Sequence, residues 1–308
     1  MSFMYINPGM ADLLDVAGGM TVENAKYNPY GGVSFWQPSS KKGVTIPEVP
    51  AEIYAKVTVF IQGGLSSSVE AHMYTGNSNG WAIRESSGTW YLDLTCCNSQ
   101  FKSLNNAETN LNFNGLNDIL FHAKSGYYEQ GLFSVTINGV EVYTTNRTVR
   151  FVQSDSYAVP SDVVAFYSRN EKALFSNIIV SDSPVGCKDQ VGILPVTETD
   201  TDMTRNDDGS YTASAAGQRF LQTIDAEALI NTYGGASQVS GLYISGNPAY
   251  TTGAELTKAI VCGGKDTLSD LASVTLSTDN TAKAMIGGAV SMTLEDLRGY
   301  KFGWKAGV

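Results

Sequence analysis

The sequence predicts an all-β protein: an antiparallel sandwich followed by a smaller β-rich sandwich domain with one or two short helices. Three observations carry this expectation. In "AEIYAKVTVFIQ", Ile53, Ala55, Val57, Val59 and Ile61 fall on one face and Tyr54, Lys56 and Thr58 on the other, the two-residue period of a half-buried strand. Asn138-Gly139 separates "LFSVTI" from "VEVYTT", and both turn residues tolerate positive φ, so a two-residue hairpin is expected there. Gly, Ser, Thr, Asn and Tyr are abundant and only 16% of residues are charged, a composition of strands joined by many turns.

Taken in order, residues 1–30 are weakly patterned and form a candidate N-terminal docking arm. Residues 31–184 are assigned to the first sandwich. "SVEAHMYT", "GWAIRES", "TWYLDLTCC" and "NDILFHAKSG" follow the strand at 51–62. The hairpin comes next, pairing Ile137 with Val140 and Val135 with Val142. "DVVAFYS" and "ALFSNIIVSD" complete roughly ten to twelve strands before Pro184, the spacing a sandwich requires. Residues 185–199 turn acidic and polar and read as a linker, and 200–308 as the small β-rich domain. There, "DAEALINTYGG" predicts one short helix with Asp225 as N-cap and Gly234 just past its end. In the closing "MTLEDLRGYKFGWKAGV", Thr293 is an expected N-cap, with Glu295 and Asp296 in the first turn, where the helix dipole favours acids. Tyr300, Phe302 and Trp304 then alternate with Lys301, Gly303 and Lys305 as a final strand. Its aromatic face is expected to pack within the domain or to serve assembly against a neighbouring copy.

The net charge of −10, with no basic stripe, argues against a nucleic-acid partner. No window reaches the ~18 apolar residues of a membrane helix. The first residues lack the cationic and apolar regions of a secretory signal, so synthesis and folding in a cytoplasm are expected. Cys96, Cys97, Cys187 and Cys262 have no metal-like spacing and are expected to be reduced, with Cys96 and Cys97 on opposite faces of a strand. His72 and His122 lie in strand patterns with no nucleophile motif beside them, and no catalytic residue, metal or cofactor is assigned. A glycoside hydrolase needs two facing carboxylates, and Glu70, Glu85 and Asp93 sit singly on separate strands, read as surface groups. Asp207-Asp208-Gly209 fails the calcium-loop spacing and reads as a turn. Tyr74, Trp81, Trp90 and Tyr91 cluster in the first sandwich. Core packing is one reading of them; the other is a glycan face carried by Tyr74, Trp81 and Trp90, since rings beside hydrogen-bonding groups suit sugars.

The order of "FSVTINGVEVYTTN", "ALFSNIIVSDSP" and "GILPVTETD" resembles the concanavalin A-like (laminin G-like) jelly-roll modules in structural proteins of tailed bacteriophages. In those modules a last strand of the kind seen at Ser176–Asp182 closes the sandwich. The ending is similar to that of the small β domain that follows them, with Leu294, Leu297, Phe302, Gly303 and Ala306 at the matching positions. The resemblance implies a non-enzymatic virion component (tail, neck, fibre or capsid-attached appendage), made in the bacterial host cytoplasm. Its implied partners are copies of itself, other virion proteins and a host-surface glycan. A carbohydrate-binding module or adhesin using the aromatic face is the alternative, and a glycoside hydrolase ranks last.

Overall fold

A computed structural model describes residues 3–7, 21–23, 34–36, 43–45, 50–61, 69–75, 79–97, 99–151, 163–168, 173–192, 194–246, 248–250, 255–278 and 284–308. The chain divides into two compact units, Met1–Ile193 and Leu194–Val308. The first is an antiparallel β-sandwich of two facing sheets. Its strands are β1 (Phe3–Asn7), β2 (Thr21–Glu23), β3 (Ser34–Trp36), β4 (Gly43–Thr45), β5 (Glu52–Ile61), β6 (Val69–Thr75) and β7 (Asn79–Ser86). β8 (Thr89–Cys96), β9 (Ser99–Asn105), the one-turn helix α1 (Asn106–Thr109), β10 (Gly115–Lys124), β11 (Leu132–Ile137), β12 (Val140–Asn146), β13 (Val163–Ser168) and β14 (Ala173–Ser181) follow. One sheet runs β12-β11-β10-β5-β14-β3-β2, with β1 also paired to β14; the facing sheet runs β4-β13-β6-β7-β8-β9.

Alternation sets the core between them. Ile53, Val57 and Ile61 of β5, Ile119 and Phe121 of β10, and Phe133 and Val135 of β11 meet Met73, Trp81, Ile83, Leu92 and Leu94 of the other sheet. The hairpin forms as expected: Asn138 and Gly139 take φ of 54° and 86°, and Asn138 Oδ1 accepts from the Asp118 N–H at 2.9 Å. Ile137 pairs with Val140, but a register shift beyond Thr136 sets Val135 opposite Tyr143 instead of Val142. Ser87 and Gly88, with φ of 53° and 79°, make a second turn of this kind between β7 and β8.

The far face of β5 departs from the half-buried expectation. Lys56 and Thr58 are 0% and 1% exposed. The segment after β14 covers this side, with Val185 and Val191 buried against Ile179, Tyr54 and Leu120. Part of the stretch expected as a linker, 185–199, therefore belongs to the first unit's packing, and its last residues open a strand of the second. A polar network forms beneath the cover. The Lys56 ammonium lies 3.0 Å from Asp118 Oδ1 and donates to Thr58 Oγ1 at 2.9 Å. Thr58 donates to Asp118 at 2.7 Å and accepts from Asn177 Nδ2 at 3.1 Å. Asn177 sits at a bulge in β14 with φ of 52°, and its Oδ1 accepts from the Val191 N–H at 2.5 Å. Burial pulls the Lys56 ammonium below its ordinary range, and Asp118 pushes back.

The second unit contains β15 (Val196–Thr201), β16 (Thr204–Arg205), β17 (Tyr211–Thr212), β18 (Arg219–Ile224), helix α2 (Glu227–Tyr233), β19 (Gln238–Gly246), β20 (Lys258–Gly264), β21 (Ser269–Thr275), β22 (Ala284–Thr293) and β23 (Lys301–Gly307). A five-stranded sheet runs β15-β18-β23-β20-β21, beside the pairs β16-β17 and β19-β22. The C-terminal strand is central in that sheet, not at its edge. Phe302 is buried with Ile224, Leu242, Val261, Leu294 and Leu297, and Tyr300 and Trp304 pack on them. The Thr293 cap is present: Thr293 Oγ1 accepts from the Asp296 N–H at 3.3 Å, and Asp296 Oδ2 accepts from the Thr293 N–H at 2.8 Å. The turn it caps is a single 3₁₀ turn, Glu295–Leu297. At α2, Asp225 Oδ1 accepts from the Glu227 N–H at 3.1 Å, and Gly234, with φ of 84°, donates to Ile230 O. Asp207-Asp208-Gly209 is a turn, closed by the Asn206 N–H on Ser210 O at 2.8 Å.

Candidate functional site

The six-stranded sheet of the first unit turns Trp81 and Ile83 of β7 and Trp90, Leu92 and Leu94 of β8 into the core. Strand alternation then places Arg84, Tyr91 and Asp93 on the opposite face. Register makes them neighbours: Arg84 stands opposite Tyr91, Ala82 opposite Asp93, and Asp93 opposite Ser103 of β9. Arg84 Nε donates to Asp93 Oδ2 at 2.5 Å. Ser103 Oγ donates to Asp93 Oδ1 at 2.7 Å. The Arg84 guanidinium carbon lies 4.3 Å from the centre of the Tyr91 ring.

Both oxygens of Asp93 are engaged, so its orientation is set. The guanidinium is held between an ion pair and a ring face. The Arg84 side chain keeps 32% exposure and that of Asp93 13%, so the patch remains open to a ligand. It offers a planar donor fork, an ordered acceptor, a hydroxyl and an aromatic ring. Groups of these kinds can hydrogen-bond hydroxyls and offer a ring face for C–H packing.

The tryptophans take no part in this face. Trp81 and Trp90 are 0% and 8% exposed, and Trp90 stacks on Phe113 with centroids 5.1 Å apart. Among the described residues no acceptor reaches the Trp81 indole N–H. The glycan face assigned to Trp81 and Trp90 is therefore corrected: alternation on β7 and β8 directs both rings inward. Pairing sets position 74 between Gly80 and Ala165 in the same sheet, but the Tyr74 side chain lies outside the described residues, as do those of Glu70 and His72. Among the described rings of the cluster, Tyr91 lies on the outer face, and register sets position 74, opposite Gly80, on the same face. Glu85, expected at the surface, is 4% exposed and accepts from the Gly88 N–H, closing the Ser87-Gly88 turn. Tyr300, Phe302 and Trp304, expected to pack or to assemble, line the second unit's core.

Two other clusters carry titratable groups. His122 Nε2 lies 2.7 Å from Glu52 Oε1, Tyr54 donates to the same oxygen at 2.9 Å, and the Tyr54 and His122 rings stack at 4.0 Å. Partial burial and the Glu52 bond push the Tyr54 hydroxyl up to about 12. The four cysteines are free thiols. Cys96 and Cys97 do not point apart as expected. Cys97 turns the corner to β9 with φ of 53°, which leaves the two sulfurs 3.5 Å apart. Burial, then the neighbouring Cys97, push the Cys96 thiol up to about 12. Among the described residues no group of His, Cys, Asp and Glu could hold a metal ion.

No protein-family model matches the chain, and no curated protein matches it. Solved structures do match. An endo-β-1,4-glucuronan lyase from the fungus Trichoderma reesei is 10% identical over 61% of this chain and 99% of its own, with a TM-score of 0.37. The Caenorhabditis elegans galectin LEC-6 is 11% identical over 48% of this chain and 95% of its own, at 0.31. The binding domain of Paraclostridial Mosquitocidal Protein 1 is 8% identical over 71% of this chain and 63% of its own, at 0.40. These are likenesses between β-sandwiches; at such identities and scores they carry no functional argument.

Proposed function

We propose that the first unit is a non-catalytic saccharide-binding module and that its site is the outer face of β7, β8 and β9. The observation that carries this reading is the Arg84–Asp93–Ser103 network set against the Tyr91 ring. Protein groups already fix the fork and the carboxylate, so binding a sugar requires little further ordering. Asp93 spends both oxygens on neighbours, which fits a binding role better than a proton-transfer role. The test is a glycan array probed with the labelled full chain. Binding to one saccharide class is expected, weakened at least about tenfold in Arg84→Ala. The fold should persist in that variant, because a partly exposed ion pair contributes about 1 kcal/mol or less. Failure of the wild-type chain to bind any saccharide would overturn the reading.

We further propose that the chain works as a structural component of a tailed phage or phage-like particle, in multiple copies, with the saccharide face serving host-surface attachment. The order of sequence elements around Ser176–Asp182 and the closing 294–306 supports this role. Mass spectrometry and electron microscopy of purified particles test it; absence of the chain from intact particles overturns it.

A further inference from the structure

The second unit has an outer sheet face of its own, independent of the saccharide reading. Phe302 and Val261 point into the core, so Lys301, Gly303 and Lys305 of β23 share the other face with Arg219 and Leu221 of β18 and Cys262 of β20, their register neighbours. Of these, Lys301, Lys305, Arg219, Leu221 and Cys262, with Gly217, the loop at Lys265–Leu268, Asp200 of β15 and Asp270 of β21, line a cleft of about 630 Å³. That size suits a small organic ligand. The floor includes the buried Leu221 and Cys262.

Four cationic side chains and three carboxylates border this cleft, in a chain whose net charge is −10. The carboxylates on the flanking strands hold the two lysines. Lys301 Nζ reaches Asp200 Oδ2 at 2.7 Å, and Lys305 Nζ reaches both oxygens of Asp270 at 2.6 Å. Arg219 stands directly across from Lys305. Like charges so opposed destabilise a strand pair; Asp270 is bonded to the lysine, and Asp200, which holds Lys301, also attracts Arg219 electrostatically. The arginine fork is left at the cleft with a 3.4 Å contact to Gly217 O as its described side-chain bond. An oxyanion placed between Arg219 and Lys305 would relieve that repulsion, with bidentate bonds from the fork. We infer that this cleft binds a small ligand bearing an oxyanion (carboxylate, phosphate or sulfate), with Arg219 as its main anchor and Lys305 and Lys265 as supporting charges.

Amide chemical shifts of the isotope-labelled full chain, followed at constant ionic strength during titration with sodium phosphate, sodium sulfate, sodium glucuronate or uncharged glucose, test this. Saturable shifts at Leu221, Gly303 and Lys305 are expected with at least one anion and not with glucose. Stronger binding of glucuronate identifies a saccharide carboxylate as the source; stronger binding of phosphate or sulfate identifies an inorganic or phosphorylated one. Arg219→Gln should weaken binding at least about tenfold, and Lys102→Gln, a charge change in the other unit, should leave it unchanged. Shifts that never saturate, that glucose reproduces, or that fall equally in both variants overturn the site. Should Arg219→Gln fail to fold, the wild-type shift map and Arg219→Lys decide.

Discussion

The two units are built on the same plan at different scale. Each lays an antiparallel sheet with one apolar face on a core and cation–carboxylate pairs on the other. In the first unit 28 described residues form the buried cluster; in the second, seven do. The large core leaves the Trp81 indole N–H without an acceptor among the described residues, and the first unit also buries Lys56 on the far face of β5. In the small one, a single strand supplies Phe302 to the core and Lys301 and Lys305 to the outer face. The outer faces differ as well. Arg84 lies over a tyrosine ring and makes a platform, whereas in the second unit Arg219, Lys301 and Lys305 border a cleft. A small core ties stability and site to the same residues; a large one lets them separate.

The sharpest way to break this comparison is to delete residues 300–308. The second unit should lose its fold, because β18 and β20 lose the strand between them, while the thermal transition of the first unit should persist. A truncated chain with both transitions unchanged would refute the central role of β23. Next in size is Asp118→Ala. It strands the fully buried Lys56 ammonium and should destabilise the first unit by about 3–5 kcal/mol in denaturant unfolding, while Lys56→Met should be near neutral. Gly303→Ala comes third. Its Cβ would stand 2.0 Å from Phe220 O, so the backbones must part, with an expected loss of about 1–3 kcal/mol and weakened oxyanion binding. The smallest effect concerns acid. Burial raises the Glu52 carboxyl, but hydrogen bonds from His122 and Tyr54 outweigh it and hold the group below its ordinary 4.5. Its stabilising contribution is therefore present above that value and lost as pH falls through the folded value. The melting-temperature gap between wild type and Glu52→Gln should be visible at pH 6 and shrink as pH falls below the carboxyl's ordinary 4.5.

Much of the fold was legible along the chain because its signals are local. Asn138-Gly139 needs positive φ at both positions and takes it. Thr293 and Asp296 are three residues apart and cap each other. The alternation of β5 and β23 names inward residues correctly, Ile53, Val57, Ile61 and Phe302 among them. The site was less legible. Arg84 and Asp93 are nine residues apart, and nothing in either strand alone shows that the Ser87-Gly88 turn sets them side by side. Reading that turn as a two-residue hairpin would have paired Arg84 with Tyr91 and removed the tryptophans from the outer face.

From its sequence alone this protein is a two-unit β chain with an apolar period on each strand, turns at particular glycines and asparagines, and an aromatic closing strand. Those features depend on neighbours within a few residues, where φ preferences and the pleat decide. Tertiary structure alone decided that Lys56 is buried, because its cover arrives from 185–191, over a hundred residues later. It also decided that the last strand is central, because β18 and β20 close on it from two sides, and that Arg219 and Lys305 stand side by side at a cleft. Burial and charge pairing are properties of what lies opposite, and what lies opposite is set by strand order, which no single strand encodes.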